Sequence, residues 1–153
     1  MEVEIVLRLR FTFNDSSSDQ GEYTPMEKTI IVTDNAPKPI GPYSAGVQVG
    51  NLVFTAGQIG LDPASGEVVP GGIEAETHRV FQNLRGVLEA AGASLDQVVK
   101  TTVFLRDMAD FGKMNSVYTE YFNGNFPART TVQATGLPKG VAVEIEAIAY
   151  LSS

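Results

Sequence analysis

Two stretches of helical periodicity, set among β-branched runs, restrict this chain more than any other feature. Residues 74 to about 91 place Val80, Phe81, Leu84, Val87, Leu88 and Ala91 on one stripe, with Gly92 where a helix would end. Residues 108 to 122 repeat the pattern with Phe111, Met114, Tyr118, Tyr121 and Phe122. Before the first stripe lie "KTIIVT" (28–33) and "VQVGNLVFTAGQ" (47–58), the latter a hairpin turning at Gly50-Asn51. Between the stripes "VVKTTVFLRD" (98–107) reads as a strand, and residues 128–151 read as two strands joined by a "GLPKG" turn. A helix with one apolar stripe must bury it. The order ββ, helix, β, helix, ββ therefore predicts an α+β domain of two layers, with both helices on one face of a mixed sheet.

The last strand shows what happens at the other face. Val141, Val143, Ile145, Ala147 and Ala149 alternate with Glu144 and Glu146, so the apolar set belongs under the helices and the carboxylates project from the helix-free side. A helix-free face of mixed character is commonly covered in an oligomer.

Residues 1–25 are patterned differently. In residues 1–13 the odd positions Val3, Ile5, Leu7, Leu9, Phe11 and Phe13 are all apolar, which predicts an appended one-sided strand. Two copies paired antiparallel about Val6 would set Glu2 against Arg10 and Glu4 against Arg8, opening a route to a larger assembly; an edge strand on its own sheet is the alternative. Residues 14–25, "NDSSSDQGEYTP", read as a polar linker, and the main domain is expected over 26–153.

Composition removes several function classes. There is no cysteine and one histidine, which leaves no thiolate nucleophile, no Cys-ligated zinc and no His-rich metal site. The formal charge of −7 comes with lysines and arginines scattered singly, a poor match to a nucleic-acid backbone. No run approaches the roughly 20 apolar residues that span a bilayer. The N-terminus lacks a secretory pattern, so a cytoplasmic location is expected.

The remaining chemistry rests on a few polar residues in marked positions. Arg129 follows Pro127-Ala128 at the mouth of a strand, where its planar fork suits bidentate capture of a carboxylate or phosphate; a salt bridge to Glu144 or Glu146 is the structural alternative. Glu144 and Glu146 could supply a general base or be an ordinary solvated pair. Asn115 interrupts the second apolar stripe, where an amide needs a partner or a ligand. Tyr43 stands in the restrained "IGPYSAG" loop, and His78, off the first stripe, reads as an exposed surface residue.

The segments "NAPKPIGPYSAGVQVGNLVFTAGQIGLDPASGEVV", "EAAGASLDQVVKTTVFLRDMADFGKMNSVYTEYF" and "FPARTTVQATGLPKGVAVEIEAIAYL" together closely resemble the RidA/YjgF family of small imine deaminases, from about Met26 to the C-terminus. That resemblance implies a chorismate-mutase-like fold, a homotrimer whose sheets meet in a central barrel, and three pockets between subunits. It implies hydrolysis of reactive 2-imino or enamino acids, such as 2-aminoacrylate and 2-iminobutanoate, to 2-keto acids and ammonia, without cofactor or metal. Arg129 matches the family's carboxylate clamp and Glu144 its water-positioning glutamate. Tyr43, Asn115, Ala56, Gly57 and Thr131 fall on pocket positions. Some members carry a cysteine at the position of Thr131 and a serine at that of Ala56, differences expected to touch substrate preference. Ribonuclease or translation-inhibitor activity, also associated with the family, and a non-catalytic ligand-binding or assembly trimer are the rival expectations.

Overall fold

The structure is a computed structural model and describes residues 27–152. The appended strand expected over 1–13 and the linker over 14–25 lie outside the described residues.

Seven strands form one sheet. They are β1 (Lys28–Ile31), β2 (Gly46–Val49), β3 (Leu52–Thr55), β4 (Gln58–Ile59), β5 (Val98–Leu105), β6 (Ala128–Gln133) and β7 (Val143–Tyr150). The two helices are α1 (Gly72–Ala90) and α2 (Phe111–Phe122). The strand order is β1-β2-β3-β7-β5-β6, with β4 pairing β7 beyond the end of β3. All pairings are antiparallel except β5 with β6, which α2 connects as a crossover. The expected hairpin turns at Gly50-Asn51, with Val49 opposite Leu52.

Most of both helical stripes is buried as the periodicity requires, but Phe111 at the start of α2 is exposed, and Ala91 and Tyr121 are only partly buried. Val80, Phe81, Leu84, Val87 and Leu88 of α1 are wholly inaccessible, and α2 contributes Met114, Tyr118 and Phe122. Each such side chain contributes roughly 1.5–3 kcal/mol by leaving water. Gly92 ends α1 with a φ of 77°, a left-handed conformation that a side chain would penalise, and its N–H caps the carbonyl of Glu89 at 2.9 Å. Beneath the helices lie Val143, Ile145, Ala147 and Ala149, all at most 3% exposed. Glu144 is half-buried and Glu146 exposed on the opposite, open face, as the alternation predicts.

One expectation is corrected. The last two strands are not neighbours: β5 lies between β6 and β7, and residues 134–142 carry the chain over it. The crossover through α2 sets β6 on the sheet's outer edge, parallel to β5. The strand with the longest alternating apolar pattern takes the centre, where both its edges are paired by β3, β4 and β5. Two buried polar side chains on α1 secure the connections around it. The Glu76 carboxylate accepts the Ala142 N–H at 2.7 Å, and Asn83 Nδ2 donates to the carbonyls of Ile59 and Leu61 at 3.0 and 2.9 Å. Among the described residues no helix is long and apolar enough to cross a membrane.

Candidate functional site

Arg129 is the register partner of Thr101 across the β5–β6 pair, and Thr101 points into the helix-covered side. Arg129 therefore projects toward α2 rather than toward the open face. Its guanidinium carbon lies 4.5 Å from the ring centre of Tyr118 and 5.6 Å from that of Phe111. Thr131, two residues on, shares this face. Asn115, Tyr118 and Thr119 of α2, with Phe126, Pro127 and Arg129, line a cleft of about 490 Å³ at this edge of the sheet. Two oxygens in this region, Asn115 Oδ1 and Thr131 Oγ1, are buried and have no hydrogen-bond partner among the described residues. A buried polar atom left unpaired costs of order 1–3 kcal/mol, so such atoms mark places where a ligand or a second chain completes the bonding.

Glu144 is elsewhere. It sits opposite Phe104 on β5, which is opposite Val132 on β6, and all three belong to the open face. Arg129 and Glu144 are thus two strands apart and three residues out of register, roughly 14 Å at ordinary strand spacing and rise, and on opposite sides of the sheet. The structural alternative for Arg129, an ion pair with Glu144 or Glu146 of its own chain, is excluded by this geometry. The ion pairs found among the described residues, Lys38–Asp34 and Arg79–Asp62, do not involve it.

The surroundings of Glu144 are built by a break in the β3–β7 ladder. Pairing runs to Phe54–Ile148 and resumes only at Gln58–Ile145. In the gap the Thr55 hydroxyl takes the place of a backbone acceptor for the Ala147 N–H, at 2.9 Å. Ala56 and Gly57 lie in this break, and the Glu144 side chain crosses over Gly57. A Cβ on Gly57 would come 2.8 Å from the Glu144 carboxyl carbon, closer than packed carbons approach. Burial raises the Glu144 pKa above the usual carboxylate value, and the neighbouring Glu146 charge adds to the rise.

That shift has a consequence for stability. Because the folded-state pKa lies above the unfolded one, the folded protein holds this proton more tightly; the stabilisation is complete in acid and is lost as pH rises through the folded pKa. Glu144→Gln, which removes the charge and keeps the shape, is expected to raise the thermal midpoint at pH 7. The gain should close as pH falls toward about 4, near the ordinary glutamate value. Melting curves of the two proteins across that range check it; a variant less stable than the parent at pH 7 contradicts the cause assigned to the shift.

Tyr43 occupies a third place. It is 53% exposed, its hydroxyl accepts the Ile40 N–H at 3.4 Å, and it lines a separate hollow of about 330 Å³ with Ile31, Val32 and Lys38. Its loop is tied to the Ala56 segment through the Ala56 N–H, which donates to the Ala45 carbonyl at 2.8 Å. The expected site residues therefore fall into separate groups within one chain: Arg129, Asn115 and Thr131 at the β6–α2 edge, and Glu144, Gly57 and Ala56 at the break in the ladder, with Tyr43 on the loop beyond.

Two sequence assignments change. His78 is not an exposed surface residue; it is half-buried, with Nδ1 2.9 Å from the Tyr121 hydroxyl. Tyr118, read only as part of an apolar stripe, also lies under the Arg129 guanidinium. The signal for that was the presence of a phenol, rather than an aliphatic side chain, on a buried stripe. Among the described residues no group of three histidines or carboxylates is arranged to hold a metal ion.

The described residues form a two-layer α+β domain with an arginine cleft at one sheet edge and a half-buried glutamate across a broken ladder, which defines a class of small α+β domain. Its family follows from comparison with known proteins. The family model described as Endoribonuclease L-PSP matches residues 33–151. A RutC family protein of Pyrococcus abyssi is 56% identical over 125 residues, covering 82% of this chain and 98% of the relative. The 2-iminobutanoate/2-iminopropanoate deaminase of Mus musculus is 51% identical over 122 residues, covering 80% and 90%. The crystal structure of E. coli TdcF with bound serine superposes with a TM-score of 0.77 at 42% identity, over 81% of this chain and 99% of that one. The chain belongs to the RidA/YjgF family.

Proposed function

We propose that this protein hydrolyses reactive 2-imino acids, of the 2-aminoacrylate and 2-iminobutanoate type, to 2-keto acids and ammonia. The observation that carries the proposal is Arg129: a guanidinium with no carboxylate partner among the described residues, lining a cleft and accompanied by the oxygens of Asn115 and Thr131, which are unpartnered among the same residues. A fork of N–H donors in that setting suits a substrate carboxylate. The deaminase activity named for the mouse relative supplies the reaction, and the serine bound to E. coli TdcF is a ligand of the right kind, a small molecule with one carboxylate beside a nitrogen-bearing carbon.

The working unit is a homotrimer built on residues 26–153, to which residues 1–25 are appended. Because Arg129 and Glu144 occupy opposite faces of one sheet, each pocket combines the Arg129 edge of one subunit with the Glu144 region of the next. The open face, carrying Phe54, Phe104, Val132 and Ile148 beside the two glutamates, is covered in the process. In the pocket Arg129 holds the carboxylate. Water beside Glu144 adds to the electrophilic C=N carbon, the carboxylate taking the water's proton and passing it to nitrogen to give the neutral carbinolamine; it then relays the hydroxyl proton to nitrogen, and ammonia leaves as the C=O bond forms. A raised pKa suits a group that both accepts and gives back a proton. Metal and cofactor have no role in this scheme. A ribonuclease would have to bind a polyanion with a chain of net charge −7.

The test uses imines released by an amino-acid oxidase and follows keto-acid formation. Arg129→Ala and Glu144→Gln, each strongly impaired alone at substrate well below the parental KM, are unfolded and refolded together and assayed at that concentration. Pockets pairing an intact Arg129 with an intact Glu144 should restore roughly a quarter of parental activity for random mixing in a closed trimer. Parental mass with no restoration would place both residues in a pocket of one chain, and a parent that accelerates no imine would remove the deaminase assignment.

A further inference from the structure

We propose that Tyr118 is the positioning residue for Arg129, its ring face seating the guanidinium while Thr101 locks the ring. The consequence for catalysis rests on the proposed carboxylate-clamp role of Arg129; the positioning itself does not.

An arginine with its charge committed to a protein carboxylate has little left for an anionic ligand. Arg129 is held differently. Its carbon lies 4.5 Å from the Tyr118 ring centre, with Phe111 as a second, more distant face at 5.6 Å. A π face attracts the cation and fixes the plane of the fork, yet leaves the N–H edge and the net charge available.

A face can orient a cation only if the face itself cannot move. Tyr118 is 3% exposed, and its ring is wedged edge-on against Phe81, with centroids 5.4 Å apart at 77°, and tilted on Phe122 at 4.8 Å. At the far end its hydroxyl is 2.7 Å from Thr101 Oγ1, an atom of a residue that is 1% exposed. Thr101 is also the register partner of Arg129. One rung of the β5–β6 pair thus supplies both the cation and the bond that locks its seat. Burial raises the phenol pKa, while the Thr101 hydrogen bond and the nearby Arg129 charge pull it the other way.

The first readout needs no ligand. The Arg129 Nε–H resonance, assigned by its absence in Arg129→Lys, should carry a ring-current shift in the parent. Tyr118→Phe keeps the π face but lacks the Thr101 bond, so it should hold the shift only in part, and Tyr118→Met, without a π face, should lose it. Thr101→Val should broaden it or move it partway, which decides the matter if the Met variant does not fold. The second readout is calorimetric binding of 2-ketobutyrate and the split between kcat and KM. Loss of the face should weaken binding and raise KM roughly 5- to 30-fold, the range expected for a desolvated cation–π contact, with kcat at saturation nearly unchanged. Tyr118→Phe should stay within about threefold of the parent, the scale of one modest hydrogen bond.

An unshifted resonance in the parent, or a parental resonance in both Tyr118→Met and Thr101→Val, would overturn the proposal. So would losses in kcat and KM of equal size, the mark of a general packing defect. A parent that binds no 2-keto acid and turns over no imine would instead overturn the deaminase assignment, while the resonance would still decide what holds Arg129.

Discussion

Arg129→Ala should lower kcat/KM for 2-imino acids by roughly 10²–10³-fold, the cost of truncating one partner of a desolvated, hydrogen-bonded charge pair. The guanidinium lines the β6–α2 cleft with no carboxylate partner among the described residues, so its interaction energy is free to be spent on the ligand. Most of the effect should appear in KM, because the carboxylate is as charged in the bound substrate as in the transition state and its capture is uniform binding. The lysine variant tests the geometry. Arg129→Lys keeps the charge but loses both the planar fork and the fit to the Tyr118 face, so it should recover only part of the loss. Steady-state kinetics on imines generated in situ, with the mass of the assembled protein checked for each variant, measures this. Full activity in Arg129→Lys would mean that charge alone is required, and full activity in Arg129→Ala would remove the clamp.

The second large effect is expected from one methyl group. Gly57→Ala places a Cβ within 2.8 Å of the Glu144 carboxyl carbon, and the carboxylate must swing away or the strand break must open. Displacing a general base by about 1 Å can cost on the order of 10²-fold in rate, so kcat should fall by that amount. Binding of a 2-keto acid should largely hold, because in the proposed pocket its carboxylate is held by Arg129 of the neighbouring subunit rather than by Glu144. The contrast with Arg129→Ala is the informative part: one substitution acts on KM and the other on kcat. A Gly57→Ala enzyme with parental kcat would show that Glu144 does not need its position across Gly57.

Much of this organisation was legible from residues alone. The two apolar stripes, the Gly50-Asn51 hairpin, the Gly92 helix end and the assignment of Glu144 and Glu146 to the helix-free face all follow from side-chain periods within one element. The family resemblance picks out the candidate site residues, and Arg129 stands out chemically without it. His78 was misread because its partner, Tyr121, is 43 residues away, and a contact at that separation leaves no local periodicity. Tyr118 was seen as packing because its second role depends on what β6 brings over it.

What the sequence determined is therefore local: which residues form helix or strand, which face of each element is apolar, and which side chains are chemically unusual where they stand. The tertiary structure decided how those faces are combined. It inserted β7 between β3 and β5, ran β6 parallel to β5 at the edge, and in doing so turned Arg129 toward α2 and Glu144 away from it. Alternation within a strand tells which residues share a side but not which side that is relative to another strand. That phase is set by pairing between segments distant in the chain, and it is the phase that separates the arginine from the glutamate within one subunit.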